Sequence, residues 1–401
     1  MRGRVQGVLA VVVALIAVAG VVVGCASAGA APRLDGTTSP GQSSFAESSD
    51  GPPAVTTTAV PGRADVDPGG EISVSAPDGA LRDVALTGGD GHVVAGAVSP
   101  DGHRWAATEA LGYGKRYTWT GSAVGADGAA TPVAGAFGTV SPDRVVRAQF
   151  AQPDDATVGV AAPIVVQFDG PVTDKAAAER ALDVRTSVPT EGSWAWLPDD
   201  AQGSRVHWRP KAYWQPGTVV DVTANLYGVD LGDGAYGRED LTSHLTVGRS
   251  QVVRADVTSH RMVVIRDGQQ VMDVPASYGL GSDPNRITRS GTHVVTEKFD
   301  NKRMTSAQYG YDLVEHWAVR MSNNGEFIHA NPASASAQGS SNVTHGCVNL
   351  STADARAYYD TALYGDPVEV TNSPVALSAA DGDVYDWAVD WDTWRGMSAL
   401  P

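Results

Sequence analysis

The 401-residue chain is expected to be mainly β: two immunoglobulin-like β-sandwiches followed by a third β-rich module with a short helix and a C-terminal tail. Three observations predict this. The apolar residues come in short strand-like pieces, Gly/Asp/Pro turns separate the pieces, and 45 Gly and 23 Pro mark a loop-rich chain rather than a helical bundle or coiled coil. At about 150 residues per domain the length allows two or three domains, and 42% hydrophobic residues can fill several cores.

The first set of strands falls within residues 60–142 and includes 71–75, 81–86 and 117–120, separated by the turn sequences GGDG, SPDG and GADG. Such turns favour hairpins. A second set, within 143–249, includes 145–150, 164–168, 205–209 and 219–223, interrupted by a helix at 174–181. Two sandwiches of immunoglobulin type fit this spacing. Neither half contains a nucleophile, a metal cluster or a glycine-rich phosphate loop, so both read as spacers. Trp194, Trp196, Trp208 and Trp214 could make a carbohydrate-binding surface, although aromatic residues in β-rich modules more often serve core or interdomain packing.

Lys and Arg number 29 against 45 Asp and Glu, a formal charge of -16 that argues against bulk electrostatic binding of nucleic acid. No nucleic-acid partner is expected. The two cysteines, Cys25 and Cys347, are too few for a disulfide framework or a Cys-ligated cluster, and each needs its own explanation. Arg2 and Arg4 precede an uncharged apolar run at residues 8–23, which reads as an export signal. The run ends Val22-Val23-Gly24-Cys25, resembling the bacterial lipobox, in which cleavage before the cysteine follows attachment of a lipid to its sulfur. Residues 1–24 would then be a signal peptide, Cys25 the lipidated first residue, and 25–59 a flexible tether poor in large apolar side chains. The alternative is an uncleaved membrane anchor. Either way the body lies outside the cytoplasmic membrane, held at its outer face in the cell-wall space.

The third module, residues 250–372, begins with two strands joined by a DG turn and continues through 291–295 to a strand that delivers His329. A loop of small residues then leads to His345-Gly346-Cys347-Val348-Asn349-Leu350, and 351–359 reads as a helix capped by Ser351 or Thr352. Cys347 is the only cysteine of the exported body and has no disulfide partner. Thiolate attack on a carbonyl requires a base and a place for the developing oxyanion. His345 and His329 are the candidate bases, and spacing alone does not choose between them. The blander possibility is a buried cysteine acting as a small hydrophobe beside satisfied histidines. Metal binding by His329, His345 and Cys347 lacks a fourth ligand. No cofactor or metal is expected.

The stretch from Phe327-Ile328-His329 through Ala337-Gln338-Gly339 and Asn342 to Thr344-His345-Gly346-Cys347-Val348-Asn349-Leu350 closely resembles the YkuD-type L,D-transpeptidase domain. The nearest likeness is to actinobacterial lipoproteins with two immunoglobulin-like domains before the catalytic one. The resemblance implies that Cys347 is the nucleophile and His329 the base, oriented by the backbone carbonyl of Ala330. It also implies that His345 supports the site, and that backbone N–H groups of Gly346 and Cys347, with Asn349, form the oxyanion pocket. Substrate contacts are implied for Met304, Tyr309, Phe327 and Asn324, with an active-site lid around 304–312. Here the stretch after Tyr309 is shorter than in mycobacterial members, Ala330 replaces a serine, and Thr344 replaces a serine while keeping the hydroxyl.

The implied reaction is acyl transfer on peptidoglycan stem peptides, forming 3→3 cross-links with loss of D-Ala, and carbapenems are expected to acylate Cys347. The alternatives are an L,D-carboxypeptidase or endopeptidase, and a non-catalytic wall-binding lipoprotein. A monomer is expected. Residues 373–401 carry Trp387, Trp391 and Trp394 amid aspartates and read as a tail packed on the body, across the junction of the catalytic and second sandwich domains.

Overall fold

The computed structural model describes residues 51–379 and 384–401. Cys25, the export segment and most of the tether lie outside the described residues. The end of the expected 25–59 tether is part of the first sandwich instead: Thr56–Thr57 pairs with Ser73–Ser75 and Ala59 is buried in its core. Among those described, no helix is long and apolar enough to cross a membrane.

Thr56–Thr57, Ser73–Ser75, Arg104–Ala107 and Gly96–Val98 form one sheet, in that order. In the other sheet, Arg116–Val124 pairs with Ala80–Gly88, Ala130–Pro132 and Gly135–Gly138. Alternation along the strands sends Trp105 from one sheet and Trp119 from the other into the same core, where their rings meet edge to face at 5.3 Å.

The second set of strands also builds two sheets. One runs Ala148–Phe150, Ile164–Phe168, Arg205–Pro210, Gly192–Leu197, and the other Ala156–Val158, Leu241–Val247, Val219–Ala224, Leu182–Thr186. The Lys175–Arg180 helix starts at Asp174, whose carboxylate accepts the Ala177 N–H at 2.8 Å. The expected continuous strand at 145–150 is divided. Arg144–Val146 joins a small separate sheet with Asp230–Gly232 and Ala235–Gly237, while Ala148–Phe150 enters the sandwich. The break falls at Arg147, whose N–H is drawn to the Asp169 carboxylate. Trp194, Trp196, Trp208 and Trp214 are buried and make no sugar-binding surface. Their N–H groups find internal acceptors where needed, as Trp214 does at the Ala162 carbonyl and Trp196 at Glu179.

In the third module Gln269–Pro275, Arg261–Arg266, Gln251–Asp256, Pro367–Thr371 and Gly291–Val294 form a five-stranded sheet. A second sheet runs Glu297–Ser306, Tyr311–Arg320, Phe327–Ala330, Val348–Leu350. A core including Val253, Met262, Tyr278, Ile328, Val348, Tyr358 and Val368 joins them. Bridges from Ser277 to Asn349 and Gly279 to Thr344 tie the segment after the first sheet to the cysteine loop. The Thr352–Tyr359 helix follows, capped by Ser351, which accepts the Asp354 N–H.

The module is fixed to the second sandwich by backbone and charge. Gly159 and Ala161 donate to the carbonyls of Tyr364 and Gly365 at 2.6 and 2.8 Å, and Arg249 grips the buried Asp366 carboxylate at 2.7 and 2.6 Å. The contact requires glycine at 365, where φ is +87° and a Cβ would stand 2.4 Å from that of Ala162. The tail crosses this junction. Leu377 donates to Ser290 of the third module, and farther on Trp387 donates to Ala161 and Trp394 to Ser193 of the sandwich.

Candidate active site

The site forms where two parallel neighbours, Phe327–Ala330 and Val348–Leu350, bring His329 beside the end of the cysteine loop. All four residues of the first strand are buried, which fixes the ring of His329 rather than leaving it to solvent. Its Nδ1 stands 2.9 Å from the Ala330 carbonyl oxygen, which can only accept, so Nδ1 carries a hydrogen and Nε2 is left to exchange a proton. His329 and Cys347 line the same cavity, close enough for the sulfur to favour a proton on the ring. Burial alone would lower the histidine's pKa, but the interaction with Cys347, then with the Glu315 carboxylate, outweighs it and pushes it up to about 10. The stable arrangement on protonation is therefore an imidazolium facing sulfur. The sulfur also lies 3.6 Å from the Gly325 carbonyl.

His345 takes a different place. Gly346, at φ +113°, turns the backbone so that Cys347 is buried while His345 is exposed, breaking the alternation that i and i+2 would keep in a strand. The His345 ring lies against Tyr309 at 4.5 Å and Tyr311 at 5.3 Å, and its pKa is lowered by burial and then by the Arg286 charge. The thiol acts on the oriented ring of His329, whereas the neighbours of His345 are Tyr309, Tyr311 and Arg286, so these contacts select His329 as the partner.

Several bonds hold the cysteine loop. Thr288 Oγ1 donates to the Gly346 carbonyl at 2.7 Å, and Arg286 donates to the carbonyls of Thr344 and Val343. The Asn349 side-chain NH2 donates to the carbonyls of Cys347 and Ser277 and to the Thr344 hydroxyl, at 2.7, 3.0 and 2.8 Å, while its backbone N–H also goes to Ser277. This corrects the expected oxyanion contact from Asn349: its donors are already engaged in holding the loop. Among the described residues, the N–H groups of Gly346 and Cys347 have no such acceptor and are available to an oxyanion.

A cavity of about 320 Å³ opens over the thiol, lined by residues that include Met304, Tyr311, Leu313, Glu315, His329, Asn331, Val343, His345 and Cys347. The expected lid is a long hairpin, Glu297–Ser306 paired with Tyr311–Arg320. Met304 reaches the cavity wall. Tyr309 sits at the hairpin tip, its hydroxyl 3.3 Å from Asp283 and its ring against His345, outside the wall itself. Phe327 is buried with Ala318 beside Cys347 and supports the nucleophile from behind, and Asn324 is exposed in a turn with Ser322 as its partner. Neither Phe327 nor Asn324 contributes to the cavity wall. Tyr311 falls within the expected lid, whereas Leu313 and Glu315 lie beyond it. Their i, i+2, i+4 spacing on one strand was the available signal. Among the described residues no cluster of three metal-ligating side chains occurs.

A buried thiol beside an oriented imidazole, both lining an open cavity, is the machinery of a cysteine acyltransferase. Residues 250–370 match the L,D-transpeptidase catalytic domain family (YkuD), and residues 63–230 match the bacterial Ig domain family. The chain is 58% identical over 339 residues to L,D-transpeptidase 5 of Mycobacterium tuberculosis, spanning 84% of this chain and 75% of that relative. It is 37% identical over 355 residues to L,D-transpeptidase 2 of the same species, spanning 86% and 85%. A solved LD transpeptidase in complex with imipenem is 35% identical, with 57% of this chain and 100% of that chain covered at a TM-score of 0.48. The chain belongs to the L,D-transpeptidase family: it is an L,D-transpeptidase with bacterial Ig-like sandwiches ahead of its catalytic domain.

Proposed function

We propose that this L,D-transpeptidase forms 3→3 peptidoglycan cross-links from a lipid-anchored position at the outer face of the cytoplasmic membrane. The observation that carries the chemistry is the pairing in one cavity of the Cys347 thiol with the His329 ring, itself oriented by the Ala330 carbonyl. Cys347 attacks the carbonyl of the third stem residue, meso-diaminopimelate by family resemblance, and the N–H groups of Gly346 and Cys347 receive the oxyanion. When the C–N bond breaks, Nε2 of His329 gives its proton to the amine of the departing D-Ala, leaving a thioester on sulfur. The side-chain amine of a second stem's third residue then attacks the thioester. Nε2 takes its proton, the thiolate leaves, and the imidazolium–thiolate pair is restored.

Water competes for the same thioester, so a seated acceptor stem must hold its amine closer than solvent. A carbapenem carries a strained carbonyl that the same thiol can open, which makes Cys347 the expected site of covalent inhibition. The apolar run before Cys25 supports lipidation there, and the following residues 26–54, ahead of the first strand, supply the reach from membrane to wall. Mass spectrometry of products from purified donor and acceptor muropeptides tests the reaction. Dimer with loss of D-Ala is expected, whereas predominant hydrolysed stem would favour the carboxypeptidase or endopeptidase reading. A Cys347→Ala protein with undiminished transfer would overturn the assigned mechanism.

A further inference from the structure

Glu315 lies on the Tyr311–Arg320 strand of the hairpin, on the face that also sends Tyr311 and Leu313 to the cavity. Its Oε2 is 3.5 Å from Nδ1 of His329, and its side chain is only 14% exposed. Among the described residues no lysine or arginine lies within ion-pair distance of it, although Lys302 stands opposite in the hairpin register. A largely buried carboxylate without a cationic partner is costly, and an imidazolium is the charge at hand to match it. The hairpin bulges just beyond: the pairing with Phe327–Ala330 slips between His316 and Val319, and Trp317 adopts φ +54°. This irregularity separates the buried end of the strand, at Ala318 and Val319, from the part that lines the cavity.

We propose that Glu315 is a positioning residue of the acyl-transfer reaction, its carboxylate completing a Cys347–His329–Glu315 line that fixes the imidazolium and keeps it charged. The inference rests on the assignment of Cys347 and His329 as the reacting pair. Glu315 takes no proton. Nδ1 keeps its hydrogen throughout, shared toward the Ala330 carbonyl and the Glu315 carboxylate, while the mobile proton moves between Nε2 and the amine nitrogens. The carbonyl orients the ring, and the carboxylate adds the charge that a carbonyl cannot. The other ionisable groups facing this pair are Tyr311, which lies close enough to Cys347 to feel its charge, and His345 with Arg286 and Asp283 at the cavity rim. Loss of the carboxylate leaves these in place, so a change in pH dependence reports on Glu315.

The test is the pH profile of kcat/KM for donor acylation in the wild-type, Glu315→Gln, Glu315→Asp and Cys347→Ala proteins, each checked for an unchanged unfolding temperature. Because acylation needs the imidazolium as acid, Glu315→Gln is expected to move the alkaline limb down by about one pH unit or more, an approximately tenfold loss on that limb, with KM for the donor little changed. Glu315→Asp is expected to fall between the two. Alkylation of Cys347 by iodoacetamide should lose its acid-side reactivity in Glu315→Gln, since a weaker imidazolium supports less thiolate. Superimposable profiles for wild type and Glu315→Gln, with Cys347→Ala inactive, would overturn the role of Glu315 alone. An active Cys347→Ala protein would instead overturn the reacting pair on which it rests.

Discussion

Nδ1 of His329 donates across 2.9 Å to the carbonyl oxygen of Ala330, its own neighbour in the strand. A backbone acceptor fixes the tautomer without using the neighbour's side chain, so replacement of the familial serine by alanine leaves the orienting group intact. Burial of the strand on both sides then supplies the rigidity that a solvent-exposed histidine would lack.

Substitutions at these two positions should therefore behave oppositely. His329→Ala is expected to lower kcat/KM for D-Ala release by about 10²- to 10⁴-fold, the range of a general acid–base contribution. Ala330→Ser is expected to stay close to wild type. Steady-state release of D-Ala from a tetrapeptide donor measures both, and a severe loss in Ala330→Ser would show that the side chain matters after all.

The raised pKa of His329 also links protonation to stability. Its folded value is about 10, whereas a free imidazole titrates at 6.5, so the folded protein holds the proton more tightly. The resulting stabilisation is fully present below the ordinary value and is lost as pH rises through about 10. Thermal unfolding of wild type and His329→Gln from pH 6 to pH 10 should show the wild type's advantage greatest at the acid end and shrinking toward the alkaline end. A constant gap would contradict the linkage.

Much of this organisation was legible before the structure, because local patterns carry it. Ser351 announces its helix by capping chemistry, and Phe327 and Ile328 ahead of His329 read as a strand before a loop of small residues. The nonlocal relations were not legible. Nothing near Arg147 signals that its strand divides between two sheets, since its N–H is drawn to Asp169, which lies just past the Ile164–Phe168 strand. The i, i+2 spacing of His345 and Cys347 left open whether they share a face, and the positive φ of Gly346 decides it by cancelling the alternation. Glu315 is brought to His329 only by the hairpin register and its bulge, information that resides in the pairing of strands rather than in either sequence segment.

Asn349 sits behind the nucleophile with its NH2 group directed at two carbonyls and a hydroxyl. Asn349→Ala should cost about 1–3 kcal/mol by leaving the buried carbonyls of Ser277 and Cys347 without that donor. Asn349→Asp should cost more, because it sets an acceptor against acceptors. Denaturant unfolding gives the order of stability, and the rate of thioester formation should fall with it as the loop loosens. Equal stability of the aspartate variant and wild type would remove Asn349 as the loop's anchor.

The C-terminal tail makes a last, larger-scale prediction. Trp394 is fully buried with Ala195 and Leu197, and together with Trp387 and Trp391 it surrounds the Arg209 guanidinium at ring distances of 4.8, 4.7 and 5.3 Å. Beside them Asp386 meets His207 at 3.1 Å with both side chains buried. Trp394→Ala alone should cost about 3–5 kcal/mol, the usual penalty for emptying a large core position. Deletion after Val375 should be worse, since it uncovers the apolar sheet face and strips His207 and Arg209 of their partners at once. Because the tail also ties to Ser290 of the catalytic domain through Leu377, the deletion should lower the unfolding temperature and loosen the junction beneath the active site. Differential scanning calorimetry with parallel activity measurements decides it: unchanged stability and unchanged turnover in the truncated protein would mean that the tail braces nothing.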